Sequence, residues 1–193
     1  TGQLILETHV HADHLTASQY LKAQLGGQIA MSEKIVTVQD IFSQIYNIDY
    51  EALKAQHSFD YLFKDHEIFK IGELEAYNLP TPGHTPACLT YVIGDAAFVG
   101  DTLFMPDYGT ARCDFPKGSA AQLYDSVMKI FNLAEYTRLY LCHDYLSESR
   151  QDYHCQTDIK TQRAEYILIH TGLTTHAFIA MREQRDATLD ITK

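Results

Sequence analysis

The chain has 193 residues, a length that fits one domain with room for a real hydrophobic core and excludes two large ones. Its 46% hydrophobic, 11% aromatic and 21% charged residues are those of an ordinary globular protein, not a disordered or fibrous one. Fifteen Lys and Arg against 25 Asp and Glu leave a net charge of −10, so the mean field repels nucleic acid and anionic membrane surfaces, and neither is expected as a partner.

No apolar run is long enough to span a bilayer. Cys88, Cys113, Cys142 and Cys155 stand 25, 29 and 13 positions apart, which signals neither a zinc ribbon nor a disulfide framework and points to a reducing compartment. A bacterial cytoplasmic location is expected, with a targeting signal upstream of Thr1 left open. Ten histidines invite a metal reading.

In chain order, Leu4 to Leu6 reads as a strand, followed by the polar cluster His9 to His14. Leu15, Tyr20, Leu21 and Leu25 then fall on helical spacing that Gly26-Gly27 stops. Gln28 to Met31 is a short strand, and Ile35 to Tyr46 an amphipathic helix. Residues 67–79 alternate around Gly72 as a hairpin that ends at Pro80-Thr81-Pro82-Gly83. Leu89 to Ile93 and Ala96 to Val99 flank the tight-turn pair Gly94-Asp95. Residues 103–118 have no period and form a long loop of the kind that often carries function. Ser119 to Leu133 places Leu123, Val127, Ile130 and Phe131 on one helix face with Ser119 as cap. A strand over Arg138 to Cys142 and helices near 157–168 and 174–186 complete a single mixed α/β domain without internal repeats.

Four candidate strands lead into metal-capable residues: His9, His84, Asp101 and His143. Sites in α/β proteins collect at strand ends and the loops beyond them, so a shared edge brings these residues together. The cluster His9-x-His11-x-Asp13-His14 packs four ligand-type side chains into six residues. A solvated polar loop is its bland alternative, and metal binding is the stronger reading. His84 alone reads as an ordinary loop histidine and Asp101 alone as a turn carboxylate. Beside the first cluster, both read as ligands. His143 either joins a second metal or hydrogen-bonds in the pocket. His57, His66, His154, His170 and His176 read as surface or packing residues.

THVHADHLTAS at 8–18, TPGHTPACLTY at 81–91, FVGDTLF at 98–104 and CHDY at 142–145 together resemble the metallo-β-lactamase superfamily. The resemblance implies an αββα sandwich of α/β (α+β) class with metal at the sheet edges. Within that superfamily, GTARCDFPKGSA at 109–120 is similar to a loop of the persulfide (sulfur) dioxygenases, the ethylmalonic-encephalopathy-protein group, and looks close to bacterial beta-lactamase-like hydrolases. Such proteins carry a further strand-rich segment before the histidine cluster and continue past AMREQRDATLDITK at 180–193. The expectation is therefore one domain over 1–193, incomplete at both ends and lacking part of its amino-terminal sheet.

The resemblance admits two chemistries. A two-zinc hydrolase of the glyoxalase II type would use His9, His11, His84 and Asp101 for one metal. It would use Asp13, His14, a bridging Asp101 and His143 for the other, to activate a hydroxide against a thioester. A persulfide dioxygenase would hold one Fe(II) per chain with the residues matching His9, His84 and Asp101, leaving positions open for a persulfide sulfur and dioxygen. The loop at 109–120 favours the second. Its Arg112 can fork onto a glutathione carboxylate, and Asp114 can orient that arginine or the substrate amine. A surface ion pair is the alternative for Arg112. Tyr145 can donate a hydrogen bond to substrate sulfur or oxygen, or simply pack. Cys113 reads as an inert thiol rather than a redox one. The expectation is glutathione persulfide dioxygenation, with thioester hydrolysis as runner-up. A metal-binding domain without activity is a third reading, which the intact ligand set argues against. A homodimer is one of the assemblies this reading accommodates.

Overall fold

A computed structural model describes residues 3–10, 16–47, 49, 59–168 and 174–189. They form β1 (Leu4–Leu6), α1 (Ser18–Leu25), β2 (Gln28–Ser32), α2 (Ile35–Tyr46), β3 (Tyr61–Phe63), β4 (Ile68–Ile71), β5 (Leu74–Pro80), β6 (Leu89–Ile93), β7 (Ala96–Phe98), α3 (Ala120–Phe131), β8 (Arg138–Tyr140), β9 (Gln156–Asp158), α4 (Ile159–Glu165) and α5 (Thr175–Asp186). A single 3-10 turn, Gly100–Thr102, follows β7. No described helix is long and apolar enough to cross a membrane.

Two sheets result. The smaller is all parallel in the order β1-β2-β3, and the larger runs β4-β5-β6-β7-β8-β9 with only β7 and β8 paired in parallel. The period-2 alternation of β2 explains how they stack. Ala30 points into a cluster with Phe63, Leu89 and Tyr91 between the sheets, whereas Met31 points the other way, onto Ile35 and Val38 of α2. On the far face of the larger sheet, Ala97, Val99 and Leu139 pack against Leu123, Val127 and Ile130 of α3, Ile159 of α4 and Phe178 of α5. The layers are therefore α2, small sheet, large sheet and α3 to α5, an αββα sandwich whose two sheets bury their facing sides against each other.

Most expected elements are present. The helices over 120–131, 159–165 and 175–186 begin where Ser119, Asp158 and Thr174 accept hydrogen bonds from the backbone of Gln122, Thr161 and Ala177. The strands β3 and β9 were not legible, being three residues each and lacking the alternation that marks longer strands. α1 is the helix expected from the spacing of Tyr20, Leu21 and Leu25, but that spacing does not mark a buried face. These three residues are exposed, and Ser18 is the one buried residue of that helix. Its anchor is electrostatic: Lys22 pairs with Asp60 at 2.6 Å, and Asp60 also accepts from the backbone of Ile29 at 2.8 Å. Leu15 lies outside the described residues.

The connectivity gathers three strand ends. β5 and β7 run the same way because each is antiparallel to β6, and β8 is parallel to β7, so the carboxyl ends of all three meet at one edge. β1 delivers its own end there as well, since Leu89 N donates to Thr8 O at 2.9 Å and Tyr91 Oη to Glu7 O at 3.0 Å. Two glycines make the approach close enough. A Cβ on Gly100 (φ +56°) would stand 2.9 Å from Thr8 Oγ1, and one on Gly83 (φ +140°) would stand 2.5 Å from the backbone of Leu123.

Gly83→Ala should therefore destabilise the protein by about 2 to 5 kcal/mol through backbone strain and overpacking against α3, whereas Ser119→Ala should cost about 1 kcal/mol as a lost cap. Urea denaturation of both variants tests the ranking. The cysteines give a second check. Burial raises the thiols of Cys88 and Cys113 to about 12, while Cys142 and Cys155 are exposed. Mass spectrometry after iodoacetamide treatment at pH 8 should find Cys142 and Cys155 alkylated in the native protein, with Cys88 and Cys113 reacting only on unfolding.

Candidate metal centre

The strand-end edge carries the residues that the sequence singles out. His9 lies beyond β1 and His84 in the loop after β5, while Asp101 sits in the 3-10 turn after β7 and His143 beyond β8. His9 Nε2 is 3.3 Å and His84 Nε2 is 3.5 Å from Asp101 Oδ2. The two rings meet edge to face at 5.3 Å. All three side chains are buried, at 3%, 2% and 3% exposure, and their ligand-type atoms lie within 4.8 Å of one another, the one such group found among the described residues. On the other side of the carboxylate, His143 Nε2 stands 3.5 Å from Asp101 Oδ1.

The donor set fits a divalent transition metal. Two imidazole nitrogens and one carboxylate oxygen, all from buried residues, converge within 4.8 Å. The outer hydrogen bonds point the rings inward. His84 Nδ1 donates to the Arg112 carbonyl at 2.8 Å, and His9 Nδ1 lies 3.2 Å from Thr8 Oγ1. The bond to the Arg112 carbonyl places the His84 proton on Nδ1 and leaves its Nε2 lone pair for a metal. Burial raises the pKa of the Asp101 carboxyl, but the imidazoles of His9, His84 and His143 lower it further, and the net shift is downward. Asp101 is thus held as the anion.

Beside the triad opens a cavity of about 270 Å³. His84, Asp101 and Arg112 border it, together with Tyr145. Tyr145 stacks on Tyr108 at 4.7 Å and meets Phe104 edge to face, so it is packed and still borders the cavity. Arg112 Nε and Nη2 both donate to Asp114 at 2.6 Å, so Asp114 occupies one edge of the guanidinium. Its guanidinium also lies over the Phe115 ring at 5.2 Å. The pairing with Arg112 holds the Asp114 carboxyl below its usual range. Cys113 is buried and its thiol is suppressed, as expected of an inert cysteine. His11, Asp13 and His14 lie outside the described residues, as do His57 and His170.

Several lining residues were not singled out from sequence. Arg182 and Arg185 reach the cavity from α5, and Arg185 lies over Tyr108 at 5.0 Å. Their spacing on one helix face was the available signal, but nothing local says which way that face turns. Arg150 is another. It binds Asp107 at 2.6 Å and Asp144 at 2.5 Å, tying the segment after His143 to the loop after β7. Hydrogen bonds from Arg150 keep the Asp144 carboxyl far below its usual range.

Comparison with known proteins agrees with this geometry. Residues 3–143 match the metallo-beta-lactamase superfamily. The chain is 47% identical over 197 residues to a probable metallo-hydrolase of Burkholderia pseudomallei, covering 97% of this chain and 67% of the relative. It is 48% identical over 187 residues to Glyoxylase B2 of Dictyostelium discoideum, covering 96% and 64%. To the human mitochondrial persulfide dioxygenase ETHE1 it is 35% identical over 143 residues, covering 72% and 48%. The chain thus spans from about half to two thirds of the length of these relatives. Among solved structures, ETHE1 from Myxococcus xanthus superposes with a TM-score of 0.72 at 27% identity, covering 97% of this chain and 70% of that one. The motifs, the αββα layers and the strand-end triad agree with these matches, and the chain belongs to the metallo-beta-lactamase superfamily.

Proposed function

We propose that this chain carries a mononuclear iron centre that oxidises glutathione persulfide to sulfite. The observation that carries this reading is the buried His9, His84 and Asp101 group opening onto a cavity bordered by Arg112 and Tyr145. Kinship with the human persulfide dioxygenase supports it. In this reading His9, His84 and Asp101 hold one Fe(II), a two-histidine, one-carboxylate set that leaves positions for both substrates. Iron bound there supplies the redox chemistry between persulfide sulfur and dioxygen. The overall reaction balances as one persulfide, one dioxygen and one water giving glutathione, sulfite and two protons.

The protein's own part is to bind and orient. Arg112 and Arg185 place positive charge on the cavity wall, which suits a carrier bearing carboxylates. Because Asp114 occupies one edge of the Arg112 guanidinium, that arginine contributes a fixed field rather than a free fork. Tyr145 borders the cavity from the His143 side, where its phenol can donate a hydrogen bond to the persulfide. The Phe104, Tyr108 and Tyr145 rings pack on one another and give that side an aromatic wall.

A second reading, thioester hydrolysis at a two-metal centre, draws on one specific feature: Asp101 turns one oxygen to His9 and His84 and the other to His143. A carboxylate so placed suits a bridge between two ions. The identities of 47% and 48% to the Burkholderia and Dictyostelium proteins also weigh toward it.

Metal analysis separates the two readings. Protein purified under reducing conditions should hold about one iron per chain, lose it in His9→Ala and Asp101→Ala, and keep it in His14→Ala. Two tightly bound zinc ions would sink the iron reading. Oxygen-electrode measurements should show uptake that depends on glutathione persulfide, with sulfite appearing and activity ceasing without oxygen. Rapid cleavage of S-lactoylglutathione with no oxygen uptake would transfer the assignment to the hydrolase.

A further inference from the structure

The triad and its cavity leave one costly feature unaccounted for. Arg182 and Asp186, four residues apart on α5, are 2% and 4% exposed, and their charges meet at 2.5 Å. A buried ion pair seldom stabilises a fold more than apolar side chains of the same volume, so its remaining hydrogen bonds merit attention. Arg182 Nη1 donates to the Thr110 carbonyl at 3.1 Å, and Asp186 Oδ2 accepts from the Cys113 backbone N–H at 2.8 Å. Those two bonds bracket Arg112, whose carbonyl accepts from His84 Nδ1 at 2.8 Å. Between them, Ala111 N donates to the carbonyl of Asp101 at 3.3 Å.

The bracketed segment lies in a stretch, 103–118, with no helix or strand of its own. Its position is therefore set by such tertiary bonds. Bidentate and charge-assisted bonds are the strongest available, and a buried pair places them away from competing water.

We propose that the Arg182–Asp186 pair is a positioning device for the metal centre. It clamps the backbone on either side of Arg112, so that the Arg112 carbonyl holds the His84 ring in the orientation and tautomer a metal needs. A helix near the carboxyl end thereby sets the affinity of a site built on strand ends. The inference rests on reading His9, His84 and Asp101 as metal ligands.

Cobalt(II) titration of the full chain against a competing chelator, with visible absorption of the bound ion, tests it. The double variant Arg182→Met/Asp186→Leu replaces the pair by apolar side chains, an exchange that buried pairs often tolerate. It should keep the native circular dichroism of the metal-free protein, bind Co(II) about 10- to 100-fold more weakly and show an altered Co(II) spectrum. Native dichroism with unchanged affinity and spectrum would overturn the proposal. If the double variant does not fold, Arg182→Lys decides. Its shorter side chain keeps a cation facing Asp186 without spanning to Thr110, so weaker binding is expected and unchanged binding refutes. Phe178→Leu loosens the same helix on its core side and should leave affinity unaltered; an equal loss there would reduce the effect to helix stability. Asp101→Ala tests the underlying reading separately. Co(II) binding that survives that variant would discard Asp101 as a ligand, whatever the α5 variants do.

Discussion

A carboxylate taken out of water must be answered by positive charge or hydrogen-bond donors, because an isolated buried anion is far too costly to keep ionised. Asp101 is 3% exposed, and three imidazole nitrogens stand within 3.5 Å of its two oxygens. The arrangement of the strand-end edge follows from this. His9, His84 and His143 come from three different strand ends, so the fold has to bring β1, β5 and β8 to the end of β7, where the carboxylate sits. A shift of about one ångström at any of these ends would leave a buried charge facing nothing and spoil a metal site.

The close approaches serve that requirement. Gly100 lets the turn bearing Asp101 press against Thr8 and so brings His9 within reach. Gly83 lets the His84 loop lie on the backbone of α3, where Ser126 Oγ adds a bond to the Pro82 carbonyl at 2.7 Å and Ser119 N one to the Gly83 carbonyl at 2.8 Å. A packed helix thus supports a loop that has no regular structure. Arginine side chains make comparable ties nearby. Arg150 ties the His143 segment to Asp107, and the pair on α5 grips the backbone around Arg112. In each case a guanidinium with several fixed donors joins segments distant in sequence, which the single point charge of a lysine does less well.

Charge and shape around the cavity bear on substrate more than on metal. The chain is acidic overall, with a net charge of −10, yet the cavity beside the triad is bordered by three arginines. Two of them are matched by Asp114 and Asp186, which keeps the local field moderate and the guanidinium groups oriented. The aromatic rings of Phe104, Tyr108 and Phe115 add an apolar surface, and the proposed function assigns the place to an anionic small molecule. The ligand types alone suit iron or zinc, so the surroundings of the triad carry the distinction between the two chemistries.

Local signals in the amino-acid order were enough for much of this. The apolar spacing of Ile35 to Tyr46 marked that helix to the residue, Ser119 marked the start of α3, and Gly94-Asp95 marked the turn between β6 and β7. Histidines and an aspartate placed just past strand-forming runs likewise pointed to His9, His84, Asp101 and His143, because strand ends are where such residues can converge. What local order cannot carry is direction and distance. Tyr20, Leu21 and Leu25 have helical spacing but remain exposed, since only the packing of neighbouring elements decides whether an apolar stripe finds a partner. Arg112 has the chemistry to fork onto a carboxylate, and only the folded loop shows Asp114 on one edge of its guanidinium. Arg182 and Asp186 stand four residues apart in the sequence, a spacing that any exposed helical ion pair can have. Their burial, and their grip on a loop more than 70 residues away, exist only once α5 has docked beside the metal centre, because burial and long-range hydrogen bonds are properties of the packed chain rather than of any segment of it.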